Sequence, residues 1–154
     1  MTKDLTELQK KYEALGKEIE KLEKDPNRYF VPERGESYFY VTGSGTWSRA
    51  WWYDDKIDNG RLAMDNVYRT EEEAQMASDK QKLLVELKRF ADFKPNWYDR
   101  NIKHVLCYDH TNKKWEWSYS NFVQWAGAVH FRSEKRVQEA IDHFGDRLNL
   151  LLED

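Results

Sequence analysis

Between residues 2 and 24 the apolar side chains recur at alternating spacings of three and four, at Leu5, Leu8, Tyr12, Leu15, Ile19 and Leu22. That is the a/d repeat of a coiled-coil seam, and it predicts one amphipathic helix, stopped by Asp25-Pro26-Asn27. From Tyr29 the period shortens to two. Tyr38–Thr42 is rich in strand-forming residues, Gly43-Ser44-Gly45 makes a hairpin turn, and Thr46–Tyr53 returns with Trp47, Arg49, Trp51 and Tyr53 on one face. A polar loop, 54–60, and a third strand, 61–69, are expected next. Thr70 then reads as the N-cap of a helix, with Glu73 in the capping-box position and apolar residues continuing through Ala91.

The order then repeats. A strand over Lys103–Asp109 and a turn at Thr111–Lys114 lead to a return strand with Trp115, Trp117 and Tyr119 on one face. A third strand, 126–131, feeds a helix capped by Ser133 that Gly145 is expected to bend or break. One phrase is written in both halves: Asn66-Val67-Tyr68-Arg69-Thr70-Glu71-Glu72-Glu73-Ala74-Gln75 returns as Val129-His130-Phe131-Arg132-Ser133-Glu134-Lys135-Arg136-Val137-Gln138. The pattern therefore predicts an α+β chain: a coiled-coil-like helical segment (1–28) followed by two tandem antiparallel βββα units (29–94 and 95–154). In the second copy Arg136 takes the place of the capping glutamate. The recurrent Arg69 and Arg132 are expected to be structural, bridging to a carboxylate or a carbonyl.

An apolar helical stripe must be covered by something. The alternatives are the chain's own body, a partner, or a second copy through Leu5, Leu8, Tyr12, Leu15, Ile19 and Leu22. In a parallel pair Glu18 would face Glu23 of the other chain, and Gly16 at an e position weakens the helix by about 1 kcal/mol relative to alanine. Self-association is therefore expected to be antiparallel.

Composition sharpens this outline. Of the 154 residues 34% are charged and 15% aromatic, with seven Trp and nine Tyr, enough to build either a core or an interface. The net charge is −3, and the acidic excess lies entirely within residues 29–93. That balance weighs against a nonspecific nucleic-acid binder and allows a basic groove on a partner. Cys107 is the only cysteine, so an intramolecular disulfide and a Cys-rich zinc site are excluded; it reads as a buried structural thiol. The charged start resembles no signal peptide and no apolar run reaches membrane-spanning length, so a cytoplasmic protein is expected.

Catalytic signatures are sparse. Asp54, Asp55, Asp58, Asn59 and Gly60 resemble a calcium loop, but Lys56 interrupts the ligand alternation, and a solvated turn is the expectation. The four histidines show no paired helical spacing, and there is no phosphate-binding loop or nucleophile elbow. No enzyme, cofactor or metal is therefore expected. The remaining signal is interaction chemistry. The candidate partner-binding residues are Trp47, Arg49, Trp51, Tyr53, Asp54, Asp55, Asp58, Trp115, Trp117, Tyr119 and Trp125. The alternatives are a single-stranded nucleic-acid binder that stacks bases on the Trp/Tyr faces and a hydrolase or nuclease assembled from scattered carboxylates.

Several stretches carry a resemblance: Pro32–Val41, Asp58-Asn59-Gly60-Arg61, Asn66–Ala74, Glu86-Leu87-Lys88-Arg89-Phe90-Ala91 and Phe131-Arg132-Ser133-Glu134. In these the chain resembles a loose group of small uncharacterised proteins encoded by phages and mobile elements of Gram-positive bacteria. The resemblance implies a setting rather than site residues. Small, acidic, aromatic-rich phage accessory proteins often bind host proteins, and some inhibit defence nucleases, including CRISPR effectors. It thus implies a non-enzymatic protein–protein interaction module in the cytoplasm of a bacterial host cell, with host-defence inhibition as its specific form and a host or phage protein as partner, for example a nucleic-acid-binding effector with a basic groove.

Overall fold

A computed structural model describes residues 2–23, 29–125 and 127–152, with side chains from Leu5 to Lys21 in the first stretch. The described residues form an α+β structure with four α-helices and two small antiparallel sheets. Helix α1 spans Thr2–Glu23, where the coiled-coil spacing places it. Every side chain from Leu5 to Lys21 is exposed; Leu5, Leu8, Tyr12, Leu15 and Ile19 are 50–83% exposed, and the side chain of Leu22 lies outside the described residues. Among the covers the sequence allows, the chain's own body is not the one used.

Strands β1 (Ser37–Val41) and β2 (Trp47–Trp51) form the first hairpin, with Phe39 opposite Arg49. Gly45 closes the turn at φ +76, and a Cβ there would meet Lys82 Cε at 3.0 Å. The left-handed backbone is what favours glycine here, since the Lys82 side chain is flexible and can give way. Ser78, buried on the helix over Glu71–Ala91, donates its hydroxyl to the Gly45 carbonyl and ties turn to helix.

The strand expected over 61–69 is largely absent. Lys56–Ala63 is instead a short helix, α2, and Asp55 caps it by accepting from the N–H groups of Ile57 and Asp58. Leu62, Ala63 and Met64 are good helix formers, whereas Gly60 disfavours a helix by about 1 kcal/mol, so local sequence sends a mixed signal that capping resolves. Only Tyr68 returns to the sheet. It exchanges two backbone hydrogen bonds with Phe39, at 2.9 and 2.8 Å.

Helix α3 (Glu71–Ala91) begins as predicted, with Thr70 Oγ1 accepting from Glu73 N–H. The Glu73 carboxylate reaches back to Arg69 N–H at 2.9 Å, one residue before the expected cap amide. In the second half, β3 (Lys103–Asp109) is central, flanked by β4 (Lys114–Ser120) and by β5 (His130–Phe131); of the strand expected over 126–131, residues 127–129 are not strand and Ala126 lies outside the described residues. Ser133 caps α4 (Glu134–Phe144), and the chain passes at Gly145 (φ +52) into a 3₁₀ turn over Gly145–Leu151, the expected break. The Arg136 guanidinium lies over the Phe90 ring, 3.8 Å from its centre, and donates twice to the Phe90 carbonyl. Where the first half has a capping glutamate, the second has a clamp between α4 and the end of α3.

The main core gathers Leu83, Leu87 and Ala91 of α3 with Phe131, Val137, Ala140, Phe144 and Leu148. A smaller cluster of Tyr38, Trp52 and Val67 lies under the first hairpin. Because Thr70 and Ser133 each satisfy one otherwise unpartnered N–H at a helix start, Thr70→Ala and Ser133→Ala should each lower stability by about 1 kcal/mol. Urea denaturation checks this, and no measurable loss would show that the caps are dispensable.

Candidate interaction surface

Strand alternation turns Ser48 and Ala50 toward the protein and Trp47, Arg49 and Trp51 outward. Trp51 is 47% and Tyr53 59% exposed. The Arg49 guanidinium sits 5.1 Å from the Trp51 ring centre, a cation–π contact that orders both side chains at the surface. Phe39, across the ladder from Arg49, meets Trp47 edge to face at 5.6 Å. The result is a narrow aromatic–arginine ridge built on a strand rather than a loop.

Acidic groups stand at both ends of this ridge. Beside Trp47 lies a hollow of about 450 Å³ that also takes Met76, Leu150, Glu71, Glu72 and Asp79 into its wall. At the other end Tyr53 is followed by exposed Asp54 and Asp55. Both of these also serve the fold: Asp54, at φ +60, accepts from the Asn59 amide, and Asp55 caps α2.

Asp58 belongs elsewhere. It is 3% exposed, and its carboxylate accepts from the Tyr38 hydroxyl and from Tyr53 N–H, each at 2.7 Å. Arg61 donates to the same Tyr38 oxygen at 2.7 Å and lies over the Tyr40 ring, 3.6 Å from its centre. Burial pushes the Asp58 carboxyl up, but Tyr53 N–H, the Tyr38 hydroxyl, the Asp55 backbone and the Arg61 charge hold it below the usual carboxylate range. The expected solvated turn is thus the capped start of a helix, with one of its carboxylates driven into the interior. The step of three from the capping Asp55 to Asp58, which places both in one first turn, was the available clue.

The second aromatic face points mostly inward. Trp115 and Trp117 pack against the main core, and the Trp115 indole N–H donates to Asn149 at 3.0 Å. Tyr119 at 61% and Trp125 at 42% remain exposed. The repeated arginines rest on aromatic rings: Arg69 lies 4.8 Å from the centre of Phe30, and Arg132 lies 5.8 Å from that of Phe93. Among the described residues, each arginine meets a ring face where a carboxylate or carbonyl bridge was expected.

Sequence reading also missed Lys103. It is 1% exposed, yet donates to the Asp99 carboxylate (2.8 Å), the Asp99 carbonyl (3.2 Å) and the Asn121 carbonyl (3.0 Å), with the Trp97 ring 5.4 Å away. Its hydrogen bond to Asp99 is the main reason that carboxyl lies below its usual range. A lysine opening an apolar strand carries no signal of this role in a single sequence.

Cys107 is half-buried rather than buried, and its thiol donates to the Glu116 carbonyl at 3.5 Å. Burial, with Glu116 and Asp109 nearby, pushes the thiol up, so it is held as the weakly nucleophilic protonated form. Burial likewise pushes His130 below its ordinary value, while its backbone hydrogen bond with Ala128 acts the other way. Among the described residues no three His, Cys, Asp or Glu side chains converge as a metal site, and no helix is long and apolar enough to cross a membrane. Searches against family models, curated proteins and solved structures give no match for this chain.

Proposed function

We propose that this chain is a non-enzymatic protein–protein interaction module that engages a basic partner through the outer face of β2. In its specific form the reading is a phage-type inhibitor of a host defence nuclease, anti-CRISPR-like, that occupies a basic nucleic-acid groove. The observation that carries it is the Arg49–Trp51 stack, held at the surface although the core does not need it. Trp, Tyr and Arg are the residue types that dominate interface hot spots. Carboxylates at both ends of the ridge suit a cationic counterpart and would steer its approach. Single-stranded nucleic acid fits less well, since Trp115 and Trp117 pack on the core and the chain's net charge of −3 opposes phosphate.

The same reading takes the two halves as copies of one βββα unit. Tyr68 and Phe131 each pair with the first hairpin strand of their half, on Phe39 and His104. Arg69 and Arg132 each stack on a phenylalanine that precedes that hairpin, and Thr70 and Ser133 each cap the helix that follows. A shared scaffold makes the difference between the outward β2 ridge and the inward β4 face the informative one.

The test is to measure binding and DNA cleavage with purified RNA-guided effector nucleases, comparing the native chain with Arg49→Glu and Trp51→Ala. Both positions are exposed, so the fold should persist. Each change is expected to weaken binding by about 30-fold, the effect of losing a central hot spot of roughly 2 kcal/mol. Full inhibition by both variants would remove the ridge from the account, and no binding by the native chain would remove the specific target class.

A further inference from the structure

We propose that α1 pairs with α1 of a second copy of this chain, in antiparallel orientation. The proposal does not depend on the β2 ridge. It starts from an exposed stripe, Leu5, Leu8, Tyr12, Leu15 and Ile19, on a 22-residue helix whose described side chains are all exposed. A continuous apolar face of this kind on a soluble domain marks an interaction surface. Most helical stability in proteins comes from packing of an amphipathic face, so a partner helix stabilises the element itself.

The charged residues flanking the stripe choose the occupant and its direction. With Leu5, Tyr12 and Ile19 at a positions and Leu8 and Leu15 at d positions, the g positions include Lys11 and Glu18, and the e positions include Gln9 and Gly16. In an antiparallel pair Tyr12 lies against Leu15 of the second copy, and Leu8 against Ile19. Between these two layers Lys11 of one helix faces Glu18 of the other, and the two-fold axis repeats the pair. On the opposite flank Gln9 faces Gly16, with no charge to oppose contact. A parallel pair loses both attractions: Lys11 then faces Gly16, and Glu18 faces another glutamate. One register thus satisfies the apolar stripe and the charges together, which a heterologous partner would have no reason to match.

The pairing has a geometric consequence. Twenty-two residues at about 1.5 Å each give a rod of roughly 33 Å. Antiparallel helices send their C-terminal ends, and so the two folded bodies, to opposite ends of that rod. The dimer would display two copies of every body surface and act as a bivalent binder.

Sedimentation equilibrium on the full chain tests this, because charge reversals distinguish the orientations. The native protein is expected to form a reversible dimer of twice 18.6 kDa. Lys11→Glu and Glu18→Lys should each weaken dimerisation by about tenfold, since each turns two attractive pairs into like-charge pairs. The double variant Lys11→Glu/Glu18→Lys should restore native affinity. Both positions changed, Lys11 and Glu18, are exposed on α1, so the body should fold unchanged. A monomer at every concentration reached, a dimer indifferent to both reversals, or a dimer tightened by Glu18→Lys would each overturn the proposal, the last by showing a parallel pair.

Discussion

Replacing Phe131 by alanine is expected to lower the unfolding free energy by about 4 kcal/mol, as truncation of a fully buried phenylalanine does. The side chain is 0% exposed and sits in the main core with Leu83 and Leu87 of α3 and Val137 and Ala140 of α4. It also provides one of the two residues of β5, paired to His104. Its removal therefore opens a cavity where the second sheet meets both helices, and neither rigid element can collapse to fill it. Domains of this size have about 5–15 kcal/mol in total, so the variant should unfold at much lower urea. Tyr119→Ala, on the same sheet but 61% exposed, is the control and should change stability by less than about 0.5 kcal/mol. Equal effects at the two positions would contradict the core assignment.

The second large effect is expected at Asp58. Asp58→Ala leaves Tyr53 N–H without its acceptor and deprives the Tyr38 hydroxyl of one, both in a poorly solvated corner. Loss of a buried charged acceptor with two donors should destabilise by about 3 kcal/mol. The effect must also depend on pH. The folded-state pKa of Asp58 lies below the usual carboxylate value, so its contribution is full above about pH 4 and lost as the pH falls through the lower folded value. Tyr38 shifts oppositely: burial, then its hydrogen bond to Asp58, raise it above its usual value near 10 despite Arg61. Its contribution is full below that value and fades as the pH rises through the folded pKa. Urea titrations across the acid range should show native stability falling more steeply than that of Asp58→Asn. Parallel acid limbs for the two proteins would show that Asp58 does not carry this linkage.

Much of the framework was legible because local signals agreed. The three-four spacing from Leu5 to Ile19 is long and regular, Gly16 does not interrupt it, and α1 forms there. Thr70 with Glu73, and Ser133 with its apolar run, announce α3 and α4 because capping is satisfied by atoms a few residues apart. The Gly43-Ser44-Gly45 turn and the strand alternation after it likewise place β2 and its outward Trp47, Arg49 and Trp51. The stretch from Asp54 to Arg69 was misread because its decisive contacts are distant in sequence. Asp58 is stabilised by Tyr38, twenty residues away, and nothing local separates a capped helix with a buried carboxylate from a polar loop.

Sequence by itself determined where α1, α3, α4 and the two hairpins lie, where α3 and α4 begin, and that α1 carries an apolar stripe flanked by charges. Those properties follow from neighbours three or four residues apart along one element. Tertiary structure alone decided which aromatic face is core and which is surface. Trp115 and Trp117 alternate on β4 much as Trp47 and Trp51 do on β2, so period and composition cannot tell them apart. They differ because α4 and the 3₁₀ turn, with Asn149 accepting from the Trp115 indole, close over β4, while the outer face of β2 keeps Arg49 and Trp51 in the open. Burial is a property of what packs opposite, and a strand's own residues do not record it.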